Sequence, residues 1–153
     1  MCRFGQLHVA QWLVNHYSLT ADDIRFQNNY ALRWSCSNRH LDLVQWLVET
    51  FNLTRDDIRS KNNYALRWSC SNGHLDIVKW LVETFNLTIT DIRECDDHAL
   101  QLSNENKQFD VILWLVQNYY PSLWLRLNLL PTQQWHEHIM DMFNNELIIS
   151  FTD

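Results

Sequence analysis

Two cysteines each stand four residues before a histidine: Cys36 with His40, and Cys70 with His74. A neighbouring imidazole can convert a thiol to thiolate, the form that attacks carbonyls and binds metals, so this pairing is the first candidate for chemistry. Its repetition argues the other way. An active site is written once in a chain, whereas a packing solution is written in every copy of a unit, and Cys2, Cys36 and Cys70 recur in phase. Copies one repeat apart are also too distant to join as disulfides. Trp135-His136-Glu137-His138 is the second candidate, as a zinc site. A metalloprotease helix needs histidines at i and i+4, but His136 and His138 are at i and i+2 and point apart, with no third ligand evident. The chain contains no phosphate-cradling glycine loop, nucleophile elbow or spaced carboxylate pair. It reads as a non-enzyme with no cofactor and no metal.

The phase to which the cysteines belong is 34 residues. The string NNYALRWSCSN occupies residues 28–38 and again 62–72, and Trp12, Trp46, Trp80 and Trp114 follow one another at the same interval. Residues 25–58 and 59–92 align without a gap and differ at seven of 34 places. A weaker copy covers 93–120, and residues 1–24 match only the second half of the unit. The chain therefore divides into an array, 1–120 (half repeat 1–24, repeats 25–58 and 59–92, degenerate repeat 93–120), and a non-repeating tail, 121–153.

Each unit carries two helical patterns. Ala65 to Cys70 forms the first, and Leu75, Val78, Leu81, Val82 and Phe85 mark the second, with Ile77, Trp80 and Thr84 as an adjacent stripe. A helix apolar on more than one side must be covered on more than one side, as in stacked repeats. Two glycines and two prolines are too few for hairpin turns and fit helices with short joints. With 46 % hydrophobic residues and eight tryptophans the chain can bury a core. The in-phase tryptophans fall within the apolar register and are expected in that core, as are Trp34 and Trp68, whose third counterpart is Leu102.

A 34-residue helix pair is also the tetratricopeptide period, but its W-x-x-L-G-x-x-Y pattern is missing. The order of motifs resembles the ankyrin repeat instead: Tyr64-Ala65-Leu66-Arg67-Trp68-Ser69-Cys70 stands where that family has T-P-L-H-x-A-A, and Gly73-His74-Leu75-Asp76-Ile77-Val78-Lys79-Trp80-Leu81-Val82 matches G-H-L-E-x-V-x-x-L-L. The resemblance covers residues 1–120 and implies an all-α, ankyrin-like solenoid of stacked antiparallel helix pairs. Some positions depart from the family. Ala65 and Arg67 replace the proline and histidine whose hydrogen bonds fix the turn, and Asn52 and Asn86 stand where the second helix usually ends in glycine. The following Thr54-Arg55-Asp56-Asp57 has the look of a helix start, so a short helical turn is expected at 54–59 in place of a β-hairpin finger. The degenerate copy has Lys107 and Gln108 in place of Gly and His.

The resemblance implies a protein partner, bound by loop tips and the exposed side of the first helices. By position these candidates are Phe26, Gln27, Asn29, Ser37 and Asn38; Ser60, Lys61, Asn63, Ser71 and Asn72; and Glu94, Cys95, Asp97, Glu105 and Asn106. A net charge of −6 without any Lys/Arg run speaks against nucleic acid. No segment is long and apolar enough for a membrane span, and the first residues lack a signal-peptide core, which points to a reducing, cytoplasmic setting. Arrays of this N-N-x-A-L type resemble those of large DNA viruses and some protists, and the cytoplasm would then be a host's. Leu123, Leu127 and Leu130, then Trp135, Ile139 and Met142, give the tail two helical stripes suited to a C-terminal cap. Leu130-Pro131 with Trp135, Ile139 and Phe143 faintly resembles an F-box, which implies an alternative role as an adaptor that recruits ubiquitin-ligase machinery. At the other end Met1 falls within an expected first helix, leaving Leu7, Ala10, Leu13 and Val14 uncovered; the chain is then a fragment of a longer array or self-associates there.

Overall fold

Counted from one helix start to the next, the structural units begin at Thr20, Thr54 and Thr88, five residues before the sequence repeats at 25, 59 and 93. There each threonine meets an aspartate three residues on. The backbone N–H of Thr20 donates to Asp23 (2.8 Å) and the amide of Asp23 donates back to the Thr20 hydroxyl, and the same reciprocal cap recurs at Thr54/Asp57 and Thr88/Asp91. A computed structural model describes residues 3–127, in which every element is a helix. In chain order these are α1 (Arg3–Tyr17), α2 (Ala21–Ser37), α3 (Leu41–Phe51), α4 (Arg55–Ser71), α5 (Leu75–Phe85), α6 (Ile89–Ile92), α7 (Glu94–Glu105), α8 (Phe109–Tyr119) and α9 (Pro121–Leu127).

α2 and α4 are each broken in the middle. Phe26 and Ser60 swing to ψ 144° and 140°, and three residues then sit in the left-handed region: Gln27, Asn28 and Asn29 (φ 52°, 57°, 58°) and Lys61, Asn62 and Asn63 (φ 55°, 57°, 53°). The first pieces are the short helical turns expected at 54–59 and its equivalent. Cys95 and Asp97 repeat the left-handed conformation in the third unit, with φ 57° and 60°. Asparagine tolerates this region better than other side chains, but three such residues in a row are costly. Arginine offsets the cost. Arg33 donates from Nε to the Asn28 carbonyl (2.7 Å) and from Nη2 to that of Gln27 (2.9 Å), and Arg67 does the same for Asn62 (2.6 Å) and Lys61 (3.0 Å). The residue that replaces the family's histidine thus supplies the turn-fixing bonds.

Second helices close on left-handed asparagines. Asn52 and Asn86, both at φ 48° and ψ 49°, donate their amides to Val48 and Val82. At the joint between helices the left-handed position is Arg39 (φ 60°), Gly73 (φ 73°) and Lys107 (φ 56°), so glycine meets the demand in only one unit. Beyond the joint, the amides of His40, His74 and Gln108 donate to Ser35, Ser69 and Ser103 (3.0, 2.9 and 2.8 Å).

Stacking places each residue beside its counterpart one period away. Leu32, Leu66 and Leu100 are fully buried, as are Val44, Val78 and Ile112, and Cys36 and Cys70 fill the space between first helices. α2 packs on α4 and α4 on α7, with α3, α5 and α8 behind them. Polar groups bind the units to one another. Arg25 forks onto Asp57 of the next unit (2.9 and 3.2 Å), Arg59 and Arg55 both pair with Asp91, and the buried amides of Asn29 and Asn63 donate to the Asp57 and Asp91 carbonyls (3.3 and 3.0 Å). In the third unit aspartate takes the asparagine position: Arg93 turns back onto Asp97 (2.9 Å), and the Tyr120 hydroxyl donates to it (2.6 Å). α9 then packs on α8 with Leu123 buried.

Three tryptophans depart from expectation. Trp46, Trp80 and Trp114 are half-buried against the core, but Trp12 is 57 % exposed, and Trp34 and Trp68 are 42 % and 37 % exposed. Leu32 and Cys36 already take the core side of the first helix, which turns Tyr30 and Trp34 outward. His136, Glu137, His138 and the F-box-like stretch from Leu130 lie outside the described residues.

Asp57 and Asp91 are held below the ordinary carboxylate range. Burial opposes this, but bonds from Arg25, the Thr54 amide and Asn29 outweigh it at Asp57; at Asp91 the Thr88 amide, Arg55 and Arg59 do so. Such groups contribute stability that is complete above the unfolded value, about 3.9, and is lost as pH falls through the folded one. Thermal melts should therefore fall steeply below about pH 4, with a shallower acid fall in Asp91→Asn. A gentler decline should precede it below about pH 6.5, because the lowered pKa of the half-buried His74 ring makes its protonation cost stability. A melting point unchanged at about pH 3 contradicts this account. Lys107→Gly should relieve the strained joint and stabilise by about 0.5–1 kcal/mol, raising Tm by about 1–4 °C. A lower Tm would mean that the lysine side chain holds the joint.

Candidate partner-binding surface

The first-helix segments of α2 and α4 lie side by side, and their outward residues form one strip. Tyr30 is 55 % exposed beside Trp34, and Tyr64 and Trp68 repeat the pair, their rings 5.5 Å apart. The Arg33 guanidinium lies 4.6 Å from the centroid of the Tyr64 ring and 5.8 Å from that of Tyr30, so it stacks between two units. Together with Ser37, Asn38 and Asn72 these side chains line a groove of about 250 Å³. The Trp34 ring also leans on His40 (5.3 Å). In the third unit His98 follows Tyr64 in phase and meets Arg67 at 3.0 Å, while Leu102 replaces the tryptophan.

The residues expected on the surface divide in three. Phe26, Gln27, Lys61 and Cys95 are exposed at the left-handed tips, and Asn38, Asn72, Glu105 and Asn106 are exposed at the joints. Ser37, Ser60 and Glu94 are half-buried between units: the Ser37 carbonyl accepts from Asn72 (2.9 Å), the Ser60 hydroxyl donates to the Asn28 carbonyl (3.2 Å), and Glu94 accepts from Asn63. Asn29, Asn63, Ser71 and Asp97 are buried, which corrects their placement on the surface. The left-handed turn points the third of its residues inward to bond the next unit, and Asn106 donates to the Ser71 hydroxyl (3.1 Å). Tyr30, Arg33, Trp34, Tyr64 and Trp68 were not among the expected surface residues. The signal for them was the aromatic pair at i and i+4, opposite Leu and Cys on a helix too short for two buried faces.

Cys36 and Cys70 take no part in this surface. Cys36 and Cys70 are fully buried, and burial pushes both thiols up, Cys70 to about 12, so thiolate is scarce at neutral pH. Their histidines are engaged elsewhere: His40 against Trp34, and His74 with Nε2 2.9 Å from the Ser37 carbonyl. Burial lowers the His74 pKa, which favours the neutral ring as an interior hydrogen-bonding group. Among the described residues no three His, Cys, Asp or Glu side chains are grouped to hold a metal, and no helix is long and apolar enough to cross a membrane.

The family model described as ankyrin repeats in three copies matches residues 1–91. No curated protein and no solved structure matches the chain. Beyond the matched residues α7 and α8 continue the same helix pair, joint and left-handed turn to Tyr119. Ankyrin repeats are in general protein-interaction modules and typically non-catalytic. The helix pairs, the 34-residue period and the family match agree, and the chain belongs to the ankyrin-repeat family.

Proposed function

We propose that this chain is a non-catalytic scaffold that binds a protein partner through the exposed strip of its first helices and the adjoining tips. One observation carries the reading: Tyr30, Trp34 and Trp68 are large aromatic side chains at least 37 % exposed, aligned across two units beside Arg33. Aromatic residues and arginine dominate binding energy at protein interfaces and are costly to leave in water. Affinity capture by the full chain should yield a partner that is lost from Trp34→Ala/Trp68→Ala while Tm stays within a few degrees. Undiminished capture by that variant would sink the reading; if the captured proteins were ubiquitin-ligase subunits, it would point to the tail.

A second reading concerns the N-terminal end. Leu13 is 38 % exposed where its counterparts Leu47, Leu81 and Leu115 are 3 %, 0 % and 0 %. A cavity of about 300 Å³ opens there, walled by Ala10, Leu13, Val14, Ile24, Trp46 and Leu47 among others. Burial of such a face favours pairing with a second copy of the chain. Light scattering should give a mass that rises with concentration for the natural chain and stays monomeric for Leu13→Glu. A constant monomer mass for the natural chain rules self-association out.

A further inference from the structure

We infer that the groove between Tyr30, Arg33, Trp34, Tyr64 and Trp68 takes an extended acidic segment of a partner protein, with a carboxylate on Arg33 and an apolar side chain on the tryptophans. The inference rests on the first-helix strip being the binding surface and names the chemistry of what binds there. Charge is the first argument. Arg25, Arg39, Arg55, Arg59 and Arg93 each pair with a carboxylate. Arg33 and Arg67 do not, among the described side chains: their partners are carbonyls, His98 and aromatic faces. Carbonyl dipoles orient a guanidinium without cancelling its charge, and Arg33 is only 9 % exposed, where screening by water is weak. Two of its nitrogens are committed, Nε to Asn28 and Nη2 to Gln27, and the third has no acceptor among the described residues. No carboxylate lines the groove, although the chain carries a net charge of −6. The groove is thus a positive, aromatic-walled slot with an uncommitted donor, which complements a carboxylate.

Size and spacing argue for an extended chain. A volume of about 250 Å³ is below the roughly 300–1,000 Å³ of small-molecule sites and suits one or two side chains of a longer ligand. The aromatic pairs repeat from one packed helix to the next, a step of about 8–10 Å. Side chains three residues apart on a polyproline II strand are about 9.3 Å apart, so one strand can present the same face to both units.

The test is fluorescence anisotropy with a fluorescein-labelled peptide of repeated Glu-Pro-Leu, compared with Lys-Pro-Leu and Gln-Pro-Leu peptides of equal length. The Glu peptide should bind about tenfold or more tighter than either, and added salt should weaken it. Asn38→Glu, an exposed change on the groove rim, should weaken it about tenfold, and Trp34→Ala/Trp68→Ala should abolish it. Equal binding of the Lys or Gln peptide, no binding of the Glu peptide, or indifference to Asn38→Glu overturns the inference. If partner capture still depends on Trp34 and Trp68, only the acidic segment is rejected and the binding surface stands; loss of that dependence rejects both.

Discussion

The array depends on one polar contact made twice: an arginine of one unit gripping the capping aspartate of the next. Arg25 grips Asp57 and Arg59 grips Asp91, and each aspartate simultaneously closes its own helix start by accepting from Thr54 or Thr88. A single carboxylate therefore joins local structure to stacking. Burying it is tolerable because every oxygen is bonded, whereas removal of the gripping arginine would take a bond from a carboxylate that water barely reaches. Apolar columns such as Leu32–Leu66–Leu100 supply most of the attraction between units, but they would allow sliding; the grip fixes which turn meets which.

The same contact explains how the array changes at the third unit. An aspartate in phase with Asp57 and Asp91 would stand at position 125, where the chain has leucine. Arg93 folds back onto Asp97, and that residue is aspartate where earlier units have asparagine. Asn29 and Asn63 donate forward, to the Asp57 and Asp91 carbonyls and to the Asp57 and Glu94 carboxylates, whereas Asp97 accepts, from Arg93 and Tyr120. Tyr120 completes the closure from the far side. Burial first, and then its bond to Asp97, keeps its phenol protonated as the donor. The degenerate copy is thus altered coherently rather than eroded.

Much of this was legible in the sequence because repetition removes ambiguity. A 34-residue period, the second-helix stripe and T-x-x-D gave the helices, the asparagine caps and the helical turn at 54–59 without reference to a structure. What could not be read was direction. Three left-handed residues in succession have no sequence rule beyond a taste for asparagine, and their third member turns inward, so Asn29 and Asn63 looked like tip residues and are interior ones. Trp34 misled for a related reason. A helical segment of about eight residues has room for one buried face, and hydrophobicity alone does not say whether Leu32 or Trp34 owns it; the neighbouring units decide.

Rigidity connects the fold to its use. The left-handed turn is expensive, and it persists because Arg33 and Arg67 clamp its carbonyls, the Ser60 hydroxyl ties one tip to the turn before it, and Asn29 and Asn63 anchor it to the next unit. A tip so restrained would, as part of the proposed surface, have little freedom left to lose on binding. The aromatic strip behaves alike, since Trp34 leans on His40, Tyr64 on Trp68, and Arg33 is held between two rings and two carbonyls. Ordering costs on binding scale with the rotamers that must be frozen, and these contacts would lower that cost on the proposed surface. Arg33 is therefore committed twice: the bonds that make the strained turn affordable also set the groove's charge in place. Its replacement would disturb backbone and surface together, which is why exposed neighbours such as Trp34, Trp68 and Asn38 are the positions at which the surface can be altered while the fold is kept.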